Sequence, residues 1–175
     1  MSTTSAKSFA LIGTAGYIAP RHLEAIHTTG NTLVAAFDKS DSVGIIDHYF
    51  PKAKFFTEFE RFDRHLEKLK IDGKSVDYLV VCSPNYLHDA HIRFGLKHGM
   101  KVICEKPLVL NPWNLDALSK VENETKQKVN TILQLRLHKN AIALKEKIEN
   151  QASSQKQEVE LTYICLLYTS PSPRD

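Results

Sequence analysis

The chain has 175 residues, 42% of them hydrophobic and 25% charged, with a formal net charge of +3. That is enough apolar content for a sizeable core, and enough length for one domain and part of another, which excludes a disordered chain. Basic and acidic residues are interspersed, so neither nucleic acid nor a membrane surface is expected as a partner. Residues 1–8 are polar and lack the apolar core of a signal peptide, and no apolar run is long enough to span a bilayer. The three cysteines, Cys82, Cys104 and Cys165, are not paired at metal-ligand spacing. Cys82 and Cys104 each end a strand-like run and read as buried thiols in a reducing compartment, so a cytoplasmic location is expected.

Short apolar runs alternate with helical spacing along the chain. Residues 9–12 read as a first strand, followed by a helix from about Ile18 with Ala19, Leu23 and Ile26 on one face. Pro20 fits the first turn of that helix, where no backbone donor is required. Residues 33–37 form a second strand. Phe59, Phe62, Leu66 and Leu69 repeat at helical spacing until Asp72-Gly73 stops the helix. Residues 78–82 are continuously apolar, as in a strand buried on both faces. Leu87, Ala90, His91 and Phe94 mark the next helix, ended by His98-Gly99, and residues 102–104 form another strand. Asn111 is placed to cap a helix that starts with Pro112 and buries Leu115 and Leu118. Strands alternating with helices imply a doubly wound parallel sheet with right-handed crossovers, spanning residues 8–126.

A second domain is expected to begin within residues 127–164. It opens with a strand over 129–133 and a helix with Ala141, Leu144 and Ile148 inward. A polar connector over 151–157 follows. In residues 158–163 charged or polar side chains alternate with apolar ones, the pattern of a half-exposed strand and of the start of an open antiparallel sheet. Such a strand, with no sheet to join, predicts low solubility. Residues 165–175, Cys-Leu-Leu-Tyr-Thr-Ser-Pro-Ser-Pro-Arg-Asp, match a translated frame of a transposon-type sequencing adapter. They are read as an artefact and excluded from the fold. On this reading the chain is a truncated piece.

The turn after the first strand, Gly13-Thr14-Ala15-Gly16-Tyr17-Ile18-Ala19, departs from the plain dinucleotide fingerprint. Thr14 stands where the first glycine belongs, Gly16 is the second, and Gly13 comes one residue early, as in a longer turn. Gly16 allows close backbone approach to a pyrophosphate, and the helix start offers free N–H groups and partial positive charge. Taken alone such a turn is often only a tight turn. Asp38 adds to it, lying 22 positions after Gly16 at the carboxyl end of the second strand. A carboxylate there can accept bonds from both ribose hydroxyls of an adenosine and would repel a 2′-phosphate, which favours NAD over NADP. Lys39 beside it would soften that repulsion, and a turn or helix-cap aspartate is the alternative.

Ser83, Pro84, Asn85 and His88 leave the buried strand at the edge where ligands sit in such sheets. Asn85 either faces the ligand or caps the next helix. His88 either reaches ribose or nicotinamide or is a solvated helix-start histidine. Glu105-Lys106-Pro107 follows the next strand directly. Lys106 there can hydrogen-bond a substrate hydroxyl and help manage its proton as hydride leaves the carbon, whereas a lone Lys-Pro is a surface turn. Pro107 fixes the backbone and admits a cis bond.

Five stretches carry a resemblance. They are Ala15-Gly16-Tyr17-Ile18-Ala19-Pro20-Arg21-His22, Asp41-Ser42-Val43-Gly44-Ile45-Ile46-Asp47, Cys82-Ser83-Pro84-Asn85-Tyr86-Leu87-His88-Asp89-Ala90-His91, Cys104-Glu105-Lys106-Pro107-Leu108-Val109-Leu110-Asn111-Pro112-Trp113-Asn114 and Leu133-Gln134-Leu135-Arg136-Leu137-His138. Over about residues 9–164 the chain resembles the N-terminal part of the Gfo/Idh/MocA oxidoreductases, and within them the UDP-N-acetylglucosaminuronate 3-dehydrogenase group of bacterial surface-polysaccharide pathways. The resemblance implies a Rossmann domain followed by an α/β domain with an open antiparallel sheet, tightly bound NAD, and oxidation of a sugar C3 hydroxyl to a ketone. It implies cofactor contacts at Gly13, Ala15, Gly16, Tyr17, Ile18, Asp38, Ser83, Pro84, Asn85, His88, Glu105 and Lys106. Lys106 matches the family's catalytic lysine. Gln134 and Arg136 would begin the substrate side, where Arg136 either pairs with a carboxylate or phosphate or is a solvated strand-edge arginine. The family's further histidine or aspartate, on the second domain, is matched by none of the eight histidines here. A UDP-linked sugar is the partner expected, and a homo-oligomer is expected of the full-length protein. A free sugar or cyclitol as substrate, and a dinucleotide-binding module without turnover, are the other readings.

Overall fold

Residues of the first strand point by turns into two different cores. Phe9 and Leu11 join one, Ala10 and Ile12 the other. A strand buried on both faces needs a layer on each side, and the computed structural model, which describes residues 5–41 and 44–150, supplies both.

Six strands build the sheet: β1 (Ser8–Ile12), β2 (Thr32–Phe37), β3 (Lys54–Phe56), β4 (Tyr78–Val81), β5 (Lys101–Cys104) and β6 (Val129–Thr131). Their order is β3-β2-β1-β4-β5-β6 and every neighbouring pair is parallel. This is the doubly wound Rossmann arrangement expected from the sequence, with the switch point between β1 and β4. Helices α1 (Ala19–Thr28) and α2 (Gly44–Tyr49) contribute Ala19, Leu23, Ile26 and Ile46 to one core. On the other face lie α3 (Phe59–Ile71), α4 (His88–Lys97) and α5 (Trp113–Thr125), which bury Phe62 and Leu66, Ile92 and Leu96, and Leu118 and Val121. Gly95 lets α4 settle onto the sheet, since a Cβ there would stand 2.8 Å from both Leu79 Cδ2 and Val102 Cγ2.

Several expectations need correction. Ala90 and Leu115 are exposed: the buried faces of α4 and α5 pass instead through Ile92 and Leu96, and through Leu118 and Val121. Asn111 does meet the start of α5, its Oδ1 accepting from the Trp113 N–H at 3.4 Å. β3 and α2 have no counterpart in the sequence reading, because three residues of edge strand and six of helix are too short to show a period. The first domain was expected to close at residue 126. β6 lies beyond that point and pairs with β5, and the compact unit holding the sheet ends at Leu133.

A second unit begins at Gln134. It contains a 3-10 turn, Gln134–Leu137, and α6 (Lys139–Glu149), whose start is capped by His138 Nδ1 accepting from the Asn140 N–H at 3.3 Å. Ala141, Leu144 and Ile148 were expected to face inward but are exposed, as is all of α6. Their spacing defines a face, and no described residue covers it. The polar connector over 151–157, the alternating strand over 158–163, Cys165 and the tail over 165–175 lie outside the described residues.

Candidate active site

Four loops leave the carboxyl edge of the parallel sheet, after β1, β2, β4 and β5, and carry the glycine turn, Asp38, the Ser83 segment and Glu105-Lys106-Pro107. The register aligns Ile12 with Phe37, Ile12 with Val81, and Val81 with Cys104, so these loops start level with one another.

Gly13 is the tightest position. Its φ is +87°, and a Cβ would stand 2.5 Å from the carbonyl carbon and oxygen of Cys82. Only glycine meets both demands. The Gly13 N–H donates to Phe37 O at 2.9 Å and the Gly16 N–H to Gly13 O at 3.1 Å, which closes the longer turn anticipated from the sequence. Gly16 is also close-packed, a Cβ there meeting Gly13 O at 3.1 Å. Thr14, at the place of the missing glycine, is buried with its hydroxyl donating to Phe37 O at 3.3 Å. No side-chain bond from Ile18 caps α1 and no acidic residue lies in its first turn, so that helix start keeps open N–H groups. Ala15 and Tyr17 are exposed beside it and Ile18 is half-buried, while Ala19 packs fully against the sheet.

Asp38 is fixed by backbone. Its Oδ2 accepts from the Ala15 N–H at 2.9 Å and its Oδ1 from the Ser40 N–H at 3.0 Å. It is therefore a turn aspartate and also a brace for the glycine loop, and the brace is a link the sequence did not reveal. Beside it opens a cleft of about 310 Å³, lined by Gly13, Asp38, Lys39, Phe59, Ser83, Pro84, Tyr86, Leu87 and His91, among others. Mostly apolar walls with a carboxylate at one side suit a flat heteroaromatic ring joined to a hydroxylated sugar. Phe59, Tyr86, Leu87 and His91 are wall residues that sequence reasoning did not assign to the site. His91 stacks on Phe59 with ring centroids 5.5 Å apart, and its Nδ1 lies 2.8 Å from Ser83 Oγ. Burial, with a smaller contribution from neighbouring His88, lowers the His91 pKa to about 4, so this ring is neutral near neutral pH.

The cap reading of Asn85 and both readings of His88 do not hold. Asn85 sits exposed in a 3-10 turn, Asn85–Leu87, and no side chain caps α4. His88 is neither solvated nor open to a ligand: it is completely buried, with Nδ1 2.7 Å from Pro107 O and Nε2 2.9 Å from Ser83 O.

At β5 the Glu105 N–H donates to Val81 O at 3.1 Å, and its carboxylate lies 2.8 Å from His22 Nε2 of α1, both side chains largely buried. Lys106 is exposed, and its ammonium makes no ion pair among the described residues. The Lys106–Pro107 peptide is cis, as the sequence allowed. Cys82 and Cys104 are buried free thiols. Burial, and then the Glu105 carboxylate, push both up, Cys104 to about 12, so neither offers a thiolate. Gln134 and Arg136 fall in the 3-10 turn of the second unit, both exposed; Arg136 is not on a strand edge as the sequence reading allowed. Among the described residues no group of three or more His, Cys, Asp or Glu could hold a metal, and no helix is long and apolar enough to cross a membrane.

Comparison with known proteins adds a family and a set of relatives. The model of the Gfo/Idh/MocA oxidoreductases, described as an oxidoreductase family with an NAD-binding Rossmann fold, matches residues 7–132. Crystal structures of the WlbA (WbpB) dehydrogenase from Thermus thermophilus are similar to this chain. One, in complex with NAD and α-ketoglutarate, shares 48% identity at a TM-score of 0.81, covering 84% of this chain and 48% of that one. Another, in complex with NAD and UDP-GlcNAcA, shares 49% identity at a TM-score of 0.79, covering 82% and 47%. An uncharacterized oxidoreductase of Escherichia coli K12, YgjR, is 32% identical over 111 residues, 62% of this chain and 31% of that protein. The chain thus spans about half the length of these solved relatives.

Proposed function

The chain belongs to the Gfo/Idh/MocA oxidoreductase family, and from that premise we propose that it forms the NAD-binding half of an enzyme that oxidises the C3 hydroxyl of a UDP-N-acetyl-aminosugar uronate. NAD is the cofactor, and bound NAD supplies the hydride acceptor. Asp38 accepts hydrogen bonds from the adenosine ribose through the lone pairs that Ala15 and Ser40 leave open. The apolar cleft would hold the adenine, and the glycine turn with the uncapped start of α1 would hold the pyrophosphate. The fit rests on this chain's own features: a glycine bend with no room for a side chain, a braced carboxylate, and a helix start with no acidic residue in its first turn.

Lys106 is the proton-transfer residue. As the neutral amine it accepts a hydrogen bond from the C3 hydroxyl and takes up that proton, becoming the ammonium, while the C3–H electron pair leaves as hydride to the bound acceptor and a ketone remains. Gln134 and Arg136 line the substrate, with Arg136 toward a carboxylate or phosphate. One observation carries the choice of substrate: near 48–49% identity to WlbA, whose structure was determined with UDP-GlcNAcA. The test is to supply the full-length protein with UDP-linked uronate and, separately, with free inositol and glucose, and follow NADH absorbance. Formation of NADH from the UDP-linked uronate alone supports the reading, and formation from a free polyol alone overturns it.

A further inference from the structure

His88 is completely buried, and both of its ring nitrogens face backbone carbonyl oxygens, Pro107 O at 2.7 Å and Ser83 O at 2.9 Å. A carbonyl oxygen only accepts. A neutral imidazole carries one N–H, so in either tautomer one of these short contacts would set a bare nitrogen against an oxygen, lone pair to lone pair. The doubly protonated ring satisfies both with charge-assisted bonds. Burial and the start of α4 both disfavour a cation here, so the charge rests on the two short carbonyl contacts. The neighbouring titratable ring, His91, is neutral, so it adds no second positive charge.

We propose that His88 is a buried imidazolium that donates one N–H to the Ser83 carbonyl and the other to the Pro107 carbonyl, tying the cleft loop to the Lys106 loop. Its position in the chain gives this tie a purpose. Ser83 lines the nucleotide cleft. Pro107 directly follows Lys106, while on the other side of that lysine Glu105 is held by His22 of α1. Lys106 is therefore flanked by two anchored residues, and its own head group is left free. His88 is a positioning residue, acting on the lysine through the backbone of its neighbour. That role rests on Lys106 being the proton-transfer group proposed above; the charge on His88 does not.

Two measurements test this. The chain labelled with ¹⁵N-histidine is examined by long-range proton–nitrogen correlation at neutral pH, with the His88 ring assigned through bonds from its own backbone amide. Two protonated, slowly exchanging ring nitrogens are expected, and one bare nitrogen overturns the proposal. His88→Gln is then introduced in the full-length enzyme. Because a misplaced reacting group costs about 10- to 100-fold in rate, kcat is expected to fall by that range while NADH affinity changes less than about threefold. A folded variant with unchanged kcat overturns the positioning role. The ring spectrum needs no sugar, so its failure is separate from failure of the substrate reading.

Discussion

The two ends of the sheet's carboxyl rim are built on opposite plans. Beside β2, the functional head group itself is immobilised: both oxygens of Asp38 accept backbone N–H groups, and a preformed apolar cleft lies next to it. After β5 the backbone is pinned and the head group is free: Glu105 and Pro107 are anchored by His22 and His88, and the ammonium of Lys106 between them is exposed. A group that only recognises profits from being fixed before its ligand arrives. A group that moves a proton needs a fixed base and a mobile tip.

Breaking the mobile end gives the largest effect. Lys106→Ala in the full-length enzyme is expected to lower kcat by about 10²- to 10⁴-fold while leaving NADH affinity within about threefold, as read by steady-state kinetics and fluorescence titration. Comparable losses in both would make the two ends one unit. Gly13→Ala comes next. The added methyl meets the Cys82 carbonyl at 2.5 Å on a backbone with φ +87°, and overpacking plus left-handed strain cost about 2–4 kcal/mol together. The urea midpoint should drop accordingly. Asp38→Asn sharpens the fixed end. It keeps an acceptor for Ala15 but loses the charge, so NADH should bind about tenfold more weakly and the gap to NADPH should narrow.

The wall of the cleft also carries a pH dependence. His91 is held near 4 in the folded chain against an ordinary value of 6.5, so the folded state resists its protonation. Stability from this residue is complete above pH 6.5 and is lost progressively as pH falls toward 4. Urea midpoints at pH 7 and 4.5 measure the loss, and His91→Gln should remove that share of it. The smallest effect is expected in the second unit. Leu144→Ser on exposed α6 should change stability by less than about 0.5 kcal/mol, and a larger change would give that face a partner.

Much of this was legible in the sequence where a period or a chemical type is tied to a place. Phe62 and Leu66 reveal α3 because helical spacing maps to one face. Asp38 and Lys106 are readable because a polar residue directly after a buried strand must fall on the rim. His88 was misread because a histidine in a first helical turn looks the same in sequence whether solvent or two carbonyls surround it, and only the fold brings Ser83 and Pro107 to either side. The His22–Glu105 pair was hidden for the same reason, 83 residues apart in the chain. On α6 the period of Leu144 and Ile148 is present but no described residue covers it: spacing defines a face and not what lies against it.

The most direct measurement is a paired calorimetric titration of the folded chain with NADH and NADPH. An Asp38 carboxylate braced at the mouth of the cleft predicts clearly tighter NADH binding. Equal or tighter binding of NADPH would contradict the role given to Asp38, and with it the account of how this rim holds its cofactor.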